Sequence, residues 1–101
     1  MIRAKVYKNT SKDVYAFEIK NHTDSNVCAA VSALSQNAIN SIEVFTDQKF
    51  SYNINEKGFL SFKCLTKNIE PSAALLLNSF LLGLQGIAES YPEKIYLKIK
   101  E

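Results

Sequence analysis

The sequence VYAFEIK (residues 14–20), followed after a short polar segment by NVCAAVSALSQNAINSIEVF (residues 26–45), contains the change of pattern that decides the fold. In the first stretch Tyr15, Phe17 and Ile19 fall on one side of an extended chain, which is typical of a strand with one buried face. In the second stretch the apolar residues recur at steps of three and four, which is typical of an amphipathic helix. The helical stripe consists of Val27, Val31, Leu34, Ala38, Ile42 and Phe45.

The two strands at the beginning of the chain form a predicted hairpin. Ile2, Ala4 and Val6 alternate with polar residues, and residues 8–13 are polar enough to form the turn that leads into residues 15–19. After this hairpin, the N-capping residue types at positions 24–26 mark the start of the first helix.

The second half of the chain repeats this order of patterns. Residues 50–54 and 60–64 alternate on either side of a turn in which Gly58 is expected at positive φ. Pro71 suits the first turn of a second helix, and residues 95–99 alternate in a closing strand. The order ββαββαβ, with one buried face per strand, predicts an α+β fold: a two-layer sandwich of a mostly antiparallel five-stranded sheet with two helices on one face.

Composition excludes several classes of protein. The 101 residues fit a single domain, 1–101, and a hydrophobic fraction of 47% argues against intrinsic disorder. A net charge of +2 is too small to argue for a nucleic acid or a membrane as partner. No apolar run approaches the roughly 20 residues of a spanning helix. We therefore expect a cytoplasmic protein with reduced cysteines and no membrane segment.

The histidine and cysteine content argues against a metal site. Two cysteines and one histidine are too few for a structural zinc site, which usually takes about four ligands. We expect neither a metal nor another cofactor. Cys64 shares one strand face with Leu60 and Phe62, so it is predicted to be a core residue.

The segment His22–Cys28 is the one constellation of residues in the sequence that could carry chemistry. Helix N-terminal amides and a nearby imidazolium both stabilise a thiolate, and Cys28 is predicted in the first helical turn with His22 close in sequence. The same amides can hold an oxyanion. Ser32, one turn later, can hydrogen-bond near the thiol or back-bond to a helix carbonyl. Asp24 can orient His22 or cap the helix.

A purely structural interpretation of the same residues stays open. Cysteine is a common small core residue, and a lone loop histidine is usually solvated. From composition and spacing alone, the structural interpretation of Cys28 and His22 is the more favoured one, because proximity in sequence is weak evidence for a dyad.

Two surfaces also have alternative interpretations. On the second helix, Leu75 and Leu82 fall on a different face from the main apolar stripe and indicate either a broad buried stripe or a homodimer contact. On the closing strand, a basic outer face suits either RNA binding or plain solvation, and solvation is favoured, so nucleic acid is not expected as a partner. The residues of this face are Lys94, Tyr96, Lys98 and Lys100.

The string Cys28-Ala29-Ala30-Val31-Ser32-Ala33-Leu34, opening a helix after a His-bearing segment, resembles the signature of the bacterial ribosomal-processing cysteine protease family Prp, also called the YsxB-like family. The similarity continues at residues 40–43, 81–84 and 87–89 and in the closing strand, so it covers nearly the whole chain.

The resemblance implies a cytoplasmic cysteine endopeptidase, often dimeric, with a Cys-His dyad. Its implied substrate is the N-terminal extension of large-subunit ribosomal protein twenty-seven, which is removed after a paired-phenylalanine sequence. By motif match, Cys28 is the nucleophile, His22 is the general base, and Ser32 matches the serine one turn further along.

The sequence departs from the family pattern just before the helix. Asn21 and Thr23 replace the Gly and Ala that flank the histidine, and Ser25-Asn26-Val27 stands where Asp-Ile-Val is expected. The loop between His22 and Cys28 is also about half the usual length. These departures leave open an alternative function, a non-catalytic binding module of the same fold that recognises the ribosomal protein or RNA.

Overall fold

The structure, a computed structural model, describes residues 1–20, 26–55 and 58–101. The predicted order ββαββαβ and the α+β class are confirmed. The elements are β1 (Ile2–Lys8), β2 (Val14–Lys20), α1 (Asn26–Phe45), β3 (Phe50–Ile54), β4 (Leu60–Cys64), α2 (Pro71–Ser90) and β5 (Ile95–Lys100).

The five strands form one sheet in the order β3-β4-β2-β1-β5. Three neighbouring pairs are antiparallel, and β1 and β5 are parallel, with Ile2 opposite Ile95 and Val6 opposite Ile99. The prediction of a mostly antiparallel sheet is therefore confirmed. Because β2 and β3 run in the same direction, as do β4 and β5, each helix must cross over the sheet between its two strands. The helices contact each other in a single layer.

Local hydrogen bonds form the first hairpin turn. The Oδ1 atom of Asn9 accepts hydrogen bonds from the backbone N–H groups of Ser11 and Asp13, each at 3.0 Å. Lys12 completes this turn with a φ of 68°. In the second hairpin Gly58 has a φ of 77°, which confirms the positive φ predicted for it.

Phe17 lies at the centre of the core. Its ring is fully buried and is 5.2 Å, between ring centroids, from Phe62 of β4 and 4.3 Å from Phe80 of α2. Phe50 of β3 extends this cluster, with its ring 5.3 Å from that of Phe62. One aromatic cluster therefore joins three strands to α2.

The two helices are in close contact at Gly83 of α2. A Cβ atom at this position would lie 2.9 Å from Cδ2 of Leu34 in α1, so a side chain here would require the end of the Leu34 side chain to shift. Nearby on α1, Ser35 is buried, and its hydroxyl donates a hydrogen bond to the carbonyl of Val31 at 2.7 Å. The absence of a side chain at Gly83 therefore lets Leu34 of α1 pack directly against α2.

A buried glutamine connects the loop after α1 to the start of α2. The side-chain amide of Gln48 donates to the hydroxyl of Thr66 at 2.7 Å and to the carbonyl of Lys49 at 2.9 Å. Its carbonyl oxygen accepts from the backbone N–H of Glu70 at 2.8 Å. Gln48 is therefore fully hydrogen-bonded at a buried position, as a buried polar group requires.

The predicted stripe of α1 is confirmed at Val27, Val31, Ala38 and Ile42, which are all buried. It is wrong at Phe45, which is 74% exposed. The neighbouring Val44, on a different side of the helix, is 72% exposed as well. The last turn of α1 therefore extends beyond the core.

Among the described residues, α2 is the one helix that is long and apolar enough to cross a membrane by length and composition alone. The core helix of a globular protein passes the same test. In this fold Leu77, Phe80 and Leu84 are buried in the core, which accounts for much of the apolar composition of α2.

We expect Phe17→Ala to lower the free energy of unfolding by about 3–5 kcal/mol, because it removes a large buried ring from the centre of the core. Phe45→Ala is the matched control, since it deletes an exposed ring and should change this free energy by less than about 0.5 kcal/mol. Urea unfolding measures both, and similar losses for the two variants would contradict the assignment of Phe17 to the centre of the core.

Candidate active site

Cys28 is the third residue of α1. The residue keeps 8% of its surface exposed, and its neighbours Asn26, Ala29 and Ala30 are exposed. The cysteine therefore lies at the rim of the core, directly beneath the protein surface. The predicted placement of Cys28 in the first helical turn is confirmed.

The first turn of α1 has the electrostatic character of an anion site. The first four N–H groups of a helix have no acceptor within the helix, and the helix dipole adds partial positive charge there. No acidic side chain lies in the first turn of α1 to neutralise this charge. A negatively charged oxygen of a bound group is therefore favoured at this end of the helix.

The supporting residues predicted from the sequence fall into two groups. Ser32 lies one turn after Cys28 on the same side of α1 and is partly buried, as expected from its spacing. His22 and Asp24 lie outside the described residues, and their roles beside Cys28 stay predictions.

Cys64 has a different environment from Cys28. It lies in β4 with 4% of its surface exposed, in the same core cluster as Leu60 and Phe62, so its predicted core position is confirmed. Burial raises the pKa of the Cys64 thiol to about 11. At neutral pH this sulfur is therefore protonated and a poor nucleophile.

A half-exposed apolar rim lies at the same end of the sheet as the start of α1. Because β2 and β3 run in the same direction, both strands finish at the same end of the sheet. Ile54, the last residue of β3, therefore lies at the end from which the chain leaves β2 for α1. Ile54 and Tyr52 are 50% and 52% exposed, although their cross-strand partners Leu60 and Phe62 are buried. The helix layer thus leaves this part of the edge strand uncovered.

The sequence did not predict this rim. An edge strand and a central strand share the same alternation, and strand order determines which of them the helices cover. Among residues 1–20, 26–55 and 58–101, no group of three or more His, Cys, Asp or Glu side chains is placed to hold a metal ion.

Comparisons with known proteins find similarity to one family over nearly the whole chain. Residues 1–96 match the family model described as cysteine protease Prp. The structure is similar to that of an essential ribosomal processing protease Prp from S. aureus in complex with a covalently linked product peptide. The TM-score is 0.90 at 29% identity, and the match covers 99% of this chain and 100% of the other.

Two further structures are similar to the same extent. The S. aureus protease in complex with a substrate peptide has a TM-score of 0.89 at 27% identity, covering 99% of this chain and 100% of that chain. SMU.848 from Streptococcus mutans has a TM-score of 0.89 at 31% identity, covering 99% of this chain and 94% of that chain. The comparison with curated protein sequences finds no significant match.

We expect iodoacetamide at about pH 8 to modify Cys28 well before Cys64. With a pKa of about 11, only about one Cys64 thiol in a thousand is ionised at that pH, whereas Cys28 lies directly beneath the protein surface in the first turn of α1. Peptide mass spectrometry over time measures both rates in the same sample, and equal rates in the folded protein would contradict the prediction. Modification in urea, where both thiols are accessible, is the control.

Proposed function

The chain belongs to the cysteine protease Prp family, and on this basis we propose that it removes the N-terminal extension of large-subunit ribosomal protein twenty-seven, after a paired-phenylalanine sequence. The observation that carries the proposal is the position of Cys28 in the first turn of α1, in a chain that superposes along its whole length on a ribosomal processing protease with a covalently linked product peptide. A covalent peptide adduct is what nucleophilic catalysis produces.

In the proposed reaction, the sulfur of Cys28 attacks the carbonyl carbon of the scissile peptide bond. His22 takes the thiol proton and delivers it to the leaving amine nitrogen as the C–N bond breaks. The product is a thioester between Cys28 and the N-terminal fragment of the substrate. Water, deprotonated by His22, then attacks the thioester, which releases the fragment with a free carboxyl group and restores the thiol.

The start of α1 supplies the electrostatic part of the proposal. The carbonyl oxygen becomes negatively charged when the sulfur attacks, and backbone N–H groups aimed at this oxygen stabilise the tetrahedral intermediate. The first turn of α1 has such groups and no acidic side chain. Ser32 adds a hydroxyl near the thiol, and Asp24 orients the imidazole of His22.

The apolar rim of Tyr52 and Ile54 suits the aromatic side chains of the proposed substrate. Both residues are about half exposed on an edge strand, at the end of the sheet where α1 begins. Burying exposed apolar surface against phenylalanine rings is favourable. The rim therefore supports a substrate with apolar side chains near the scissile bond.

We place the enzyme in the cytoplasm as a homodimer that forms through α2. Leu75 and Leu82 are 71% and 70% exposed, seven residues apart on one side of the helix, and neither contributes to the core. Two such leucines on a helix surface provide an apolar contact for a second copy. The proposed substrate is a cytoplasmic protein, and the cytoplasm is also the compartment in which cysteine thiols stay reduced.

We expect the wild-type protein to shorten the extended ribosomal protein, with a new N-terminus after the paired phenylalanines seen by mass spectrometry. Cys28→Ala should leave the precursor uncut, and His22→Ala should slow cleavage by about a hundredfold or more. Cys64→Ala is the matched control and should still cut the precursor, since this thiol lies in the core.

The same experiment separates the protease from the non-catalytic binding module. Uncut precursor in the presence of folded wild-type protein, together with stable binding of that precursor, would support the binding module and overturn the proposed reaction. Cleavage by Cys28→Ala at the wild-type rate would overturn the assignment of the nucleophile.

We expect the double variant L75E/L82E to sediment as a monomer at concentrations where the wild-type protein is a dimer, because the substitutions place like charges in the contact. V44E/F45E is the matched control, since Val44 and Phe45 are exposed to a similar extent on α1. Dissociation of the control but not of L75E/L82E would exclude α2 as the dimer contact.

A further inference from the structure

The face of the sheet opposite the helices, here called the helix-free face, collects positive charge. The parallel pairing of β1 with β5 sets Arg3 opposite Tyr96 and Lys5 opposite Lys98, and Arg3 also pairs with Lys20 of β2. The basic strand residues on this face are Arg3, Lys5, Lys20, Lys63, Lys98 and Lys100.

The two sides of the molecule therefore differ in charge. Six of the twelve basic side chains lie at strand positions of the helix-free face, with one of the ten acidic side chains, Glu18, so this face has a net charge of +5. The rest of the chain has six basic and nine acidic side chains, a net charge of −3. Glu18 lies 3.9 Å from the ammonium group of Lys20 and opposite Lys5 in the pairing of β1 with β2. The other four basic side chains of this face have no carboxylate among their pairing partners at the described strand positions.

Tyrosine rings and small polar side chains accompany this charge. Tyr96 is 45% exposed and alternates with Lys98 along β5. A groove of about 420 Å³ on the same face is lined in part by Tyr7, Ser61 and Asn53. This volume lies in the general range of small-molecule sites.

We propose that the helix-free face binds single-stranded RNA. Lysine and arginine side chains neutralise phosphates, exposed tyrosine rings stack on bases, and hydroxyl and amide groups in a groove contact base edges. An open sheet face presents all three to an extended strand. This activity goes beyond the proposed proteolysis and does not depend on Cys28.

The structure changes the balance that the sequence alone suggested. On β5 the basic residues are spaced like an ordinary solvated face, and solvation is the favoured interpretation there. The sheet order adds Arg3 and Lys5 beside them, because β5 returns to pair with β1 rather than extending the sheet next to β4. The charge is therefore continuous across neighbouring strands.

Charge and composition distinguish RNA from other occupants. A second copy docked through the same face would bring two surfaces of +5 together, which is unfavourable. A membrane surface would be helped by exposed aliphatic side chains, but the one aliphatic residue at the described outward strand positions is Ala16, which is 8% exposed. Anionic lipid vesicles are nevertheless an arm of the test.

The test is fluorescence anisotropy of a labelled single-stranded RNA of about 12 nucleotides with the full-length protein, between about 50 and 200 mM salt. We expect affinity to fall as salt rises, and K98E/K100E to weaken binding by at least about tenfold. K12E/K67E changes the net charge equally at two exposed loop positions outside the helix-free face and should weaken binding by less than about threefold.

A second pair of variants tests stacking with no change in charge. Tyr96 and Tyr91 are each 45% exposed, but Tyr91 follows α2 and lies outside the helix-free face. We expect Tyr96→Ala to weaken binding by about fivefold or more and Tyr91→Ala to leave it unchanged. Circular dichroism melting of each variant confirms that it is folded.

Several results would overturn the proposal. These are absence of RNA binding at the lowest salt, equal weakening by the two lysine pairs, and equal effects of the two tyrosine variants. Binding to vesicles containing phosphatidylserine that is as tight as binding to RNA would replace RNA with an anionic lipid surface as the partner.

Discussion

The packing of Phe17 against Phe62 and Phe80 is the interaction on which the rest of the structure depends. This contact fixes α2 above the middle strands, and α1 then packs beside it through the close approach of Leu34 to Gly83. Because both helices cover the same face of the sheet, the other face is exposed to solvent. Its strand positions are therefore occupied mainly by polar and charged side chains. The asymmetry of the sandwich thus produces both the helix start that holds Cys28 and the basic face opposite the helices.

Periodicity predicted which residues are buried, and sheet topology decided which residues are neighbours. The strand faces of β1, β2 and β4, the positive φ of Gly58 and the core position of Cys64 all follow from local patterns. The parallel pairing of β5 with β1 does not, because it depends on the crossover through α2. For the same reason, nothing in the alternation of β3 showed that Tyr52 would stay half exposed at a sheet edge.

The two cysteines show how the fold differentiates identical side chains. Cys64 ends β4 within the hydrophobic core, where burial raises the pKa of its thiol, and it contributes to packing. Cys28 lies at a helix start, where backbone N–H groups face the end of the helix. The capping residues and the change of period predicted this position. The distance from Cys28 to His22 was not predictable in that way, because it depends on the path of residues 21–25, which lie outside the described part of the chain.

The proposed protease site and the proposed RNA surface lie in different layers of one small domain. Cys28 belongs to the helix layer, whereas Arg3, Lys5 and Lys98 project from the opposite face of the sheet. The sheet therefore separates the two sites, and a strand of RNA on the helix-free face does not occupy the space where a peptide meets the cysteine. The net charge of +2 conceals this separation, because the acidic residues lie mainly away from the helix-free face. The composition gives only the net charge, whereas the fold determines on which face each charged side chain lies. One sheet can therefore have a nucleophile on its helix side and a binding surface for a polyanion on its other side.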